Sequence, residues 1–174
     1  MDLSKTIIPK SDQLNADDLV GGSKTITIRK VSQGADDTQP VNIYYFGDDN
    51  KPYKPCKSMR RLLVQLWGVD GAQFVGRSLT LYRDDSVMFS GVEVGGIRIS
   101  HVTDIQQATK VLITTAKSKR RPVTVEPLVL NRKPLTDFAK ALEAVKANEV
   151  TAQKIVETYD LTNEQIVELS KLVK

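Results

Sequence analysis

Between Ser23 and Thr115 the chain breaks repeatedly into short β-branched or aromatic runs, each closed by glycine or aspartate. That punctuation limits the segment to a sheet of many short strands. The first run, SKTITIRKV, sets Thr25, Thr27 and Arg29 against Ile26, Ile28 and Lys30, and a loop is expected at Gly34, Asp36 and Asp37. VNIYYF at Val41–Phe46 forms a second strand, and Gly47–Asn50 turns the chain back. SLTLYR then places Leu79 and Leu81 on one face, with Thr80 and Tyr82 on the other. After the Asp84-Asp85-Ser86 turn, VMF and VEV flank a break at Ser90-Gly91, IRISHV follows Gly95-Gly96, and VLITT at Val111–Thr115 is a closing strand. Strands of this kind point to a small closed or nearly closed β-barrel.

One helix interrupts the strands. Leu62, Leu63, Leu66 and Trp67 fall at helical spacing, with Ser58 as the expected N-cap and Gly68 as the stop. Lys57, Arg60 and Arg61 crowd its first turn, where the helix dipole and free N–H groups already present positive potential. A nearby phosphate would reverse that penalty; the alternative is a solvated basic turn.

The charge distribution favours the phosphate. Residues 51–133 hold 15 Lys and Arg against 6 Asp and Glu, a net +9, while residues 1–50 have 5 against 8 and residues 134–174 have 5 against 7. Concentrated cationic charge is the footprint of a polyanion binder, although an acidic protein could also meet it. The run AKSKRRP, with Lys117, Lys119, Arg120 and Arg121, is expected to wrap a phosphate backbone as an arm, or to stay a solvated loop. Alternation places Tyr44 and Phe46 on one face and Tyr45 on the other. Phe46 suits the core, while Tyr45 and Tyr53 are candidates for stacking on unpaired bases.

Catalysis has little to work with. Cys56 is the single cysteine and His101 the single histidine. Neither a thiolate zinc site nor an imidazole dyad is therefore expected, and no metal or other cofactor is assigned. The acidic pairs Asp17-Asp18, Asp36-Asp37, Asp48-Asp49 and Asp84-Asp85 could serve a two-metal nuclease, but turn preference explains them more simply. No run approaches the roughly 18 apolar residues of a membrane span, and MDLSKTIIPK lacks a secretory apolar core, so a cytoplasmic protein is expected.

Residues 1–20 read as an N-terminal arm, 21–130 as the barrel, and 131–174 as a helical segment, an α+β arrangement that is mainly β. Residues 123–134 begin as a short strand and become a Pro-punctuated linker. Leu135, Phe138, Ala139, Leu142 and Val145 then predict a helix from Pro134, stopped by Asn148. Thr151 starts a second helix, and Thr162 with Gln165 forms a capping box for a third. The helices carry no cationic stripe and are assigned to protein contacts, self-association or capping of the barrel.

The succession TITI, PVNIYYFGDDNKPYKP, a helix ending LWG, FVGRSLTLYRDD and MFSGVEVGGIRIS resembles phage-encoded single-stranded DNA-binding proteins of recombination and replication gene clusters, over about residues 20–120. Its marks are Trp67-Gly68, Gly76-Arg77 and Gly95-Gly96-Ile97-Arg98. The resemblance implies an OB-like barrel with one inserted helix, and either a third strand near Tyr53 or a variant topology. It also implies a non-enzymatic protein of the host cytoplasm that binds single-stranded DNA without reading its sequence. Lys54, Lys57, Arg60, Arg61, Arg77, Arg83, Arg98 and the Lys117–Arg121 run would neutralise phosphates, and Tyr45, Tyr53 and Tyr82 would stack on bases. The chain ends in ELSKLVK rather than an acidic tip, which leaves the helices as the docking element for phage or host replication and recombination proteins. Two other readings stand beside this one: a structural or interaction barrel whose basic face binds an acidic partner, and a metal-dependent nuclease.

Overall fold

A computed structural model describes residues 11–116 and 119–173. The first alternating run forms β1 (Lys24–Asp36), which turns at residues 37 and 38 into β2 (Gln39–Tyr45). Helix α1 (Lys57–Trp67) follows, then β3 (Ser78–Asp84), the two-residue strands β4 (Met88–Phe89) and β5 (Val92–Glu93), and β6 (Gly96–Val102). A hairpin of β7 (Thr109–Ala116) and β8 (Lys119–Pro127) leads to β9 (Lys133–Pro134), α2 (Phe138–Lys146), α3 (Ala152–Thr158), β10 (Tyr159–Asp160) and α4 (Asn163–Ser170). The class is α+β.

Six strands form one sheet in the order β2-β1-β3-β6-β8-β7, antiparallel throughout except for β6 beside β8. Register shifts in β1, between Ile28 and Lys30 and between Gln33 and Asp36, bend the strand. Gly34 lies inside the second shift rather than in the expected loop. A Cβ there would stand 2.2 Å from the Gln39 carbonyl oxygen, so the approach of the two backbones requires glycine.

The sheet does not close, because its end strands β2 and β7 are not hydrogen-bonded to each other. Helix α1 instead packs against β7, burying Met59, Leu62, Leu63 and Trp67. Ser58 does not cap that helix. The helix begins two residues earlier than that cap implies, with Cys56 at the N-cap position, and the Ser58 hydroxyl donates to the Thr114 carbonyl at 2.9 Å. The strand expected near Tyr53 is a lone bridge in which Tyr53 and Ile43 exchange backbone hydrogen bonds of 2.9 Å. Pro52 and Pro55 flank it without N–H groups, so no ladder can extend.

Two apolar clusters hold the chain. The larger joins the sheet's inner residues, among them Ile28, Ile43, Leu79, Leu81 and Ile99, to α1 and to Leu14 and Leu19. Residues 11–20 are therefore not a free arm: the Leu14 N–H also donates to the Pro52 carbonyl at 3.0 Å. Residues 1–10 lie outside the described residues. The second cluster seats the three helices on Phe46, which follows the core residue Tyr45. Asn163 packs over Gly76, where φ is +87° and a Cβ would meet its Oδ1 at 2.6 Å. Thr151 and Thr162 cap α3 and α4, and Gln165 completes the box. The first helix starts later than Pro134, which pairs in β9 with β10, because Asp137 accepts the Lys140 N–H at 2.9 Å. Among the described residues, no helix is long and apolar enough to cross a membrane.

Candidate nucleic-acid interface

The first turn of α1 contains no acidic residue. Lys57 and Arg61 are exposed, Arg60 is half-buried, and none of the three makes an ion pair among the described residues. Lys54, just before the helix, pairs with Asp12 at 2.7 Å. The N-cap position is Cys56, and its Sγ accepts a 3.5 Å hydrogen bond from Arg98 Nη1. That contact joins the helix start to a second basic group at the ends of β3, β6 and β8.

Asp84 organises this group. Its Oδ2 lies 3.0 Å from Arg121 Nη2 and 3.8 Å from Arg98 Nε, and its Oδ1 accepts the Ser86 hydroxyl at 2.6 Å. Burial pushes the Asp84 carboxyl up, but the Ser86 hydroxyl and N–H and the charges of Arg121 and Arg98 together hold it below its ordinary value. Arg83 is bracketed by Asp85 and Asp17, whose hydrogen bonds raise its pKa further. Tyr82 stands opposite Arg98 in the β3–β6 register, half-buried, its phenol pushed up by burial and then by the Asp84 charge. Tyr82 and Arg83 line a cleft of about 530 Å³ with Val20, Gly21, Gly22 and Ser23.

The tyrosine assignments need correction. Tyr45 and Tyr53 are each 1 % exposed and cannot offer a ring face to a base without unpacking the core. Alternation turns Tyr45 inward with Ile43, while its N–H donates to Asp48 Oδ2 at 3.1 Å. Tyr53 is held between the two prolines, and burial raises its phenol pKa. The half-exposed tyrosine that sequence spacing missed is Tyr44. Arg29 Cζ lies 5.3 Å and Lys30 Nζ 5.6 Å from its ring centre. The shift in register between Ile28 and Lys30 sets this arrangement, and no local residue pattern announces it.

The remaining expected contacts are divided. Lys119, Arg120 and Arg121 belong to β8, with Arg120 opposite Thr114 and Arg121 opposite Ile113, so the basic run is strand rather than arm. Lys117 lies outside the described residues. Arg77 precedes the far end of β3, about 20 Å from Arg83 at roughly 3.3 Å per residue, and lies over the Trp67 ring at 5.3 Å while pairing with Asp104 at 3.7 Å. Arg98 is 9 % exposed, held by its neighbours rather than free on the surface. Four of the eight acidic turn residues pair with arginines among the described residues: Asp17 and Asp85 with Arg83, Asp84 with Arg98 and Arg121, and Asp48 with Arg29. Among the described residues, no group of three or more His, Cys, Asp or Glu could hold a metal ion. His101 Nδ1 lies 2.9 Å from the Ser100 hydroxyl.

Compared with known proteins, the chain matches no family model, no curated protein and no solved structure.

Proposed function

We propose that the chain is a sequence-tolerant, non-catalytic single-stranded DNA-binding protein of phage replication or recombination, its open sheet a variant of an OB-like barrel. The observation that carries this reading is the gathering of Arg98 and Arg121 at Asp84 beside Tyr82, which shares its cleft with Arg83, and their link through Cys56 to the α1 cations that form no ion pair among the described residues. Arginine presents a fixed fork of donors that a phosphate can take over from a carboxylate. Phosphates of a bound strand would displace Asp17, Asp84 and Asp85 from these arginines and settle beside Lys57 and Arg61. Tyr82, and Tyr44 on the β1–β2 hairpin, would stack on bases, an interaction that tolerates any sequence. The three helices would recruit replication or recombination partners.

Fluorescence-anisotropy titration of a labelled oligothymidine and of a duplex of equal length, at low and moderate salt, tests the reading. Salt-sensitive preference for the single strand, weakened by Tyr82→Ala and by Lys57→Ala/Arg61→Ala, supports it. No binding at low salt overturns it.

A further inference from the structure

A second surface is built differently. Between the β1–β2 hairpin and α1 runs a groove of about 460 Å³. Val31, Val41 and Ile43 of the hairpin line it with Leu63, Val64 and Phe74, and Val64 and Val69 are 43 % and 87 % exposed. Arg60 is the one charged side chain in this lining, one turn before Val64 on the same helix face. Its Nη1 is buried and has no hydrogen-bond partner among the described residues. A buried guanidinium N–H without an acceptor is costly, and a carboxylate is the acceptor that matches it best. Lys57 and Arg61 stand in the same turn, free of ion pairs among the described residues. At the other end Asp70, between Val69 and Gly71, accepts the Ala72 N–H at 3.0 Å and leaves that rim acidic.

We infer that this groove docks a protein segment in which apolar side chains adjoin a carboxylate. The carboxylate accepts from Arg60, and the apolar side chains lie along Val31, Val64 and Phe74. The polarity is set by charge: the acidic end meets the first turn of α1, and the apolar end runs toward Val69, where Asp70 would repel a second anion. A nucleobase fits less well, since Phe74 is the one aromatic side chain in this lining and, at 7 % exposed, offers little face for stacking. The groove is separate from the Tyr82 cleft, although Lys57 and Arg61 at its basic end also belong to the proposed DNA interface.

The test is fluorescence polarisation with a labelled peptide: a run of aspartates followed by leucine, isoleucine and phenylalanine. Two control peptides replace either the aspartates or the apolar residues with serine. The full-length chain should prefer the mixed peptide over both controls by about tenfold or more, and Arg60→Leu or Val64→Asp should each weaken it by about as much. Arg120→Ala should leave it unchanged, and Arg60→Glu should favour the same peptide with lysines in place of aspartates. Melting curves of each variant report its folding. Absence of binding at millimolar peptide, or binding that ignores both groove variants, overturns the inference. So does oligothymidine that competes for the groove and loses as much affinity in Val64→Asp, which would make it a base pocket. Concentration-dependent self-association abolished by Val64→Asp would assign the groove to a second copy and overturn it equally.

Discussion

Asp84 Oδ2 lies 3.0 Å from Arg121 Nη2, a pairing that reaches from the end of β3 to β8 although β6 runs between the two strands. Arg98, on β6, approaches the same oxygen at 3.8 Å. One carboxylate thus restrains two arginines from two strands. The arrangement lowers the local positive charge while holding the guanidinium groups in place, so under the proposed function a phosphate would find donors already oriented and would have to displace one acid.

Replacing that acid should separate stability from affinity. Asp84→Asn removes the ion pair with Arg98 and the more exposed charge-assisted bond to Arg121 and weakens the one from Ser86, for a loss of about 2 kcal/mol in urea unfolding. Single-strand affinity at neutral pH should rise, as the freed arginines turn to phosphate. Because the carboxyl pKa is lowered in the folded chain, its contribution is full above the ordinary carboxylate range, about pH 4, and is lost as pH falls through the lowered value. The variant should show a flatter acid limb in a plot of stability against pH. An unchanged limb would remove Asp84 from the explanation.

Arg29 and Asp48 form a buried pair, with both Asp48 oxygens within 3.3 Å of Arg29 Nη2. Asp48 also accepts the Tyr45 and Asn50 N–H groups. Asp48→Ala leaves the guanidinium uncompensated and should cost about 3–5 kcal/mol, measured by denaturant unfolding.

The two roles of tyrosine are distinguishable by substitution. The Tyr53 hydroxyl is buried with no hydrogen-bond partner among the described residues, so Tyr53→Phe should be neutral or stabilise by about 1 kcal/mol, with DNA affinity unchanged. Tyr82→Ala should leave folding nearly intact and weaken single-strand binding by about 1–3 kcal/mol. Thermal melts and anisotropy on the same preparations decide both.

Salt dependence counts the phosphates. If Lys57 and Arg61 each neutralise one, their joint replacement by alanine should reduce the slope of log affinity against log salt by about 1.4, at roughly 0.7 per single-strand contact. Asp12→Asn, which frees Lys54 from its partner, should steepen the slope.

The legible features were the local ones. β-Branched runs marked most strands, and Thr162 with Gln165 marked the start of α4, because turn dihedrals and capping bonds are settled within a few residues. The basic middle segment was equally plain, since charge can be counted along the chain. By itself, then, the sequence determined an α+β protein with a cationic sheet-and-helix portion and three short C-terminal helices. Only the tertiary structure decided which tyrosines are buried, whether the sheet closes, and which carboxylate meets which arginine. Tyr45 and Tyr82 look alike in sequence, but one faces the packed side of its strand and the other borders a cleft. Arg83 and Asp17 are 66 positions apart, and no local preference links them. Ion pairing and burial depend on segments that only folding brings together, so their outcome is set by packing rather than by spacing.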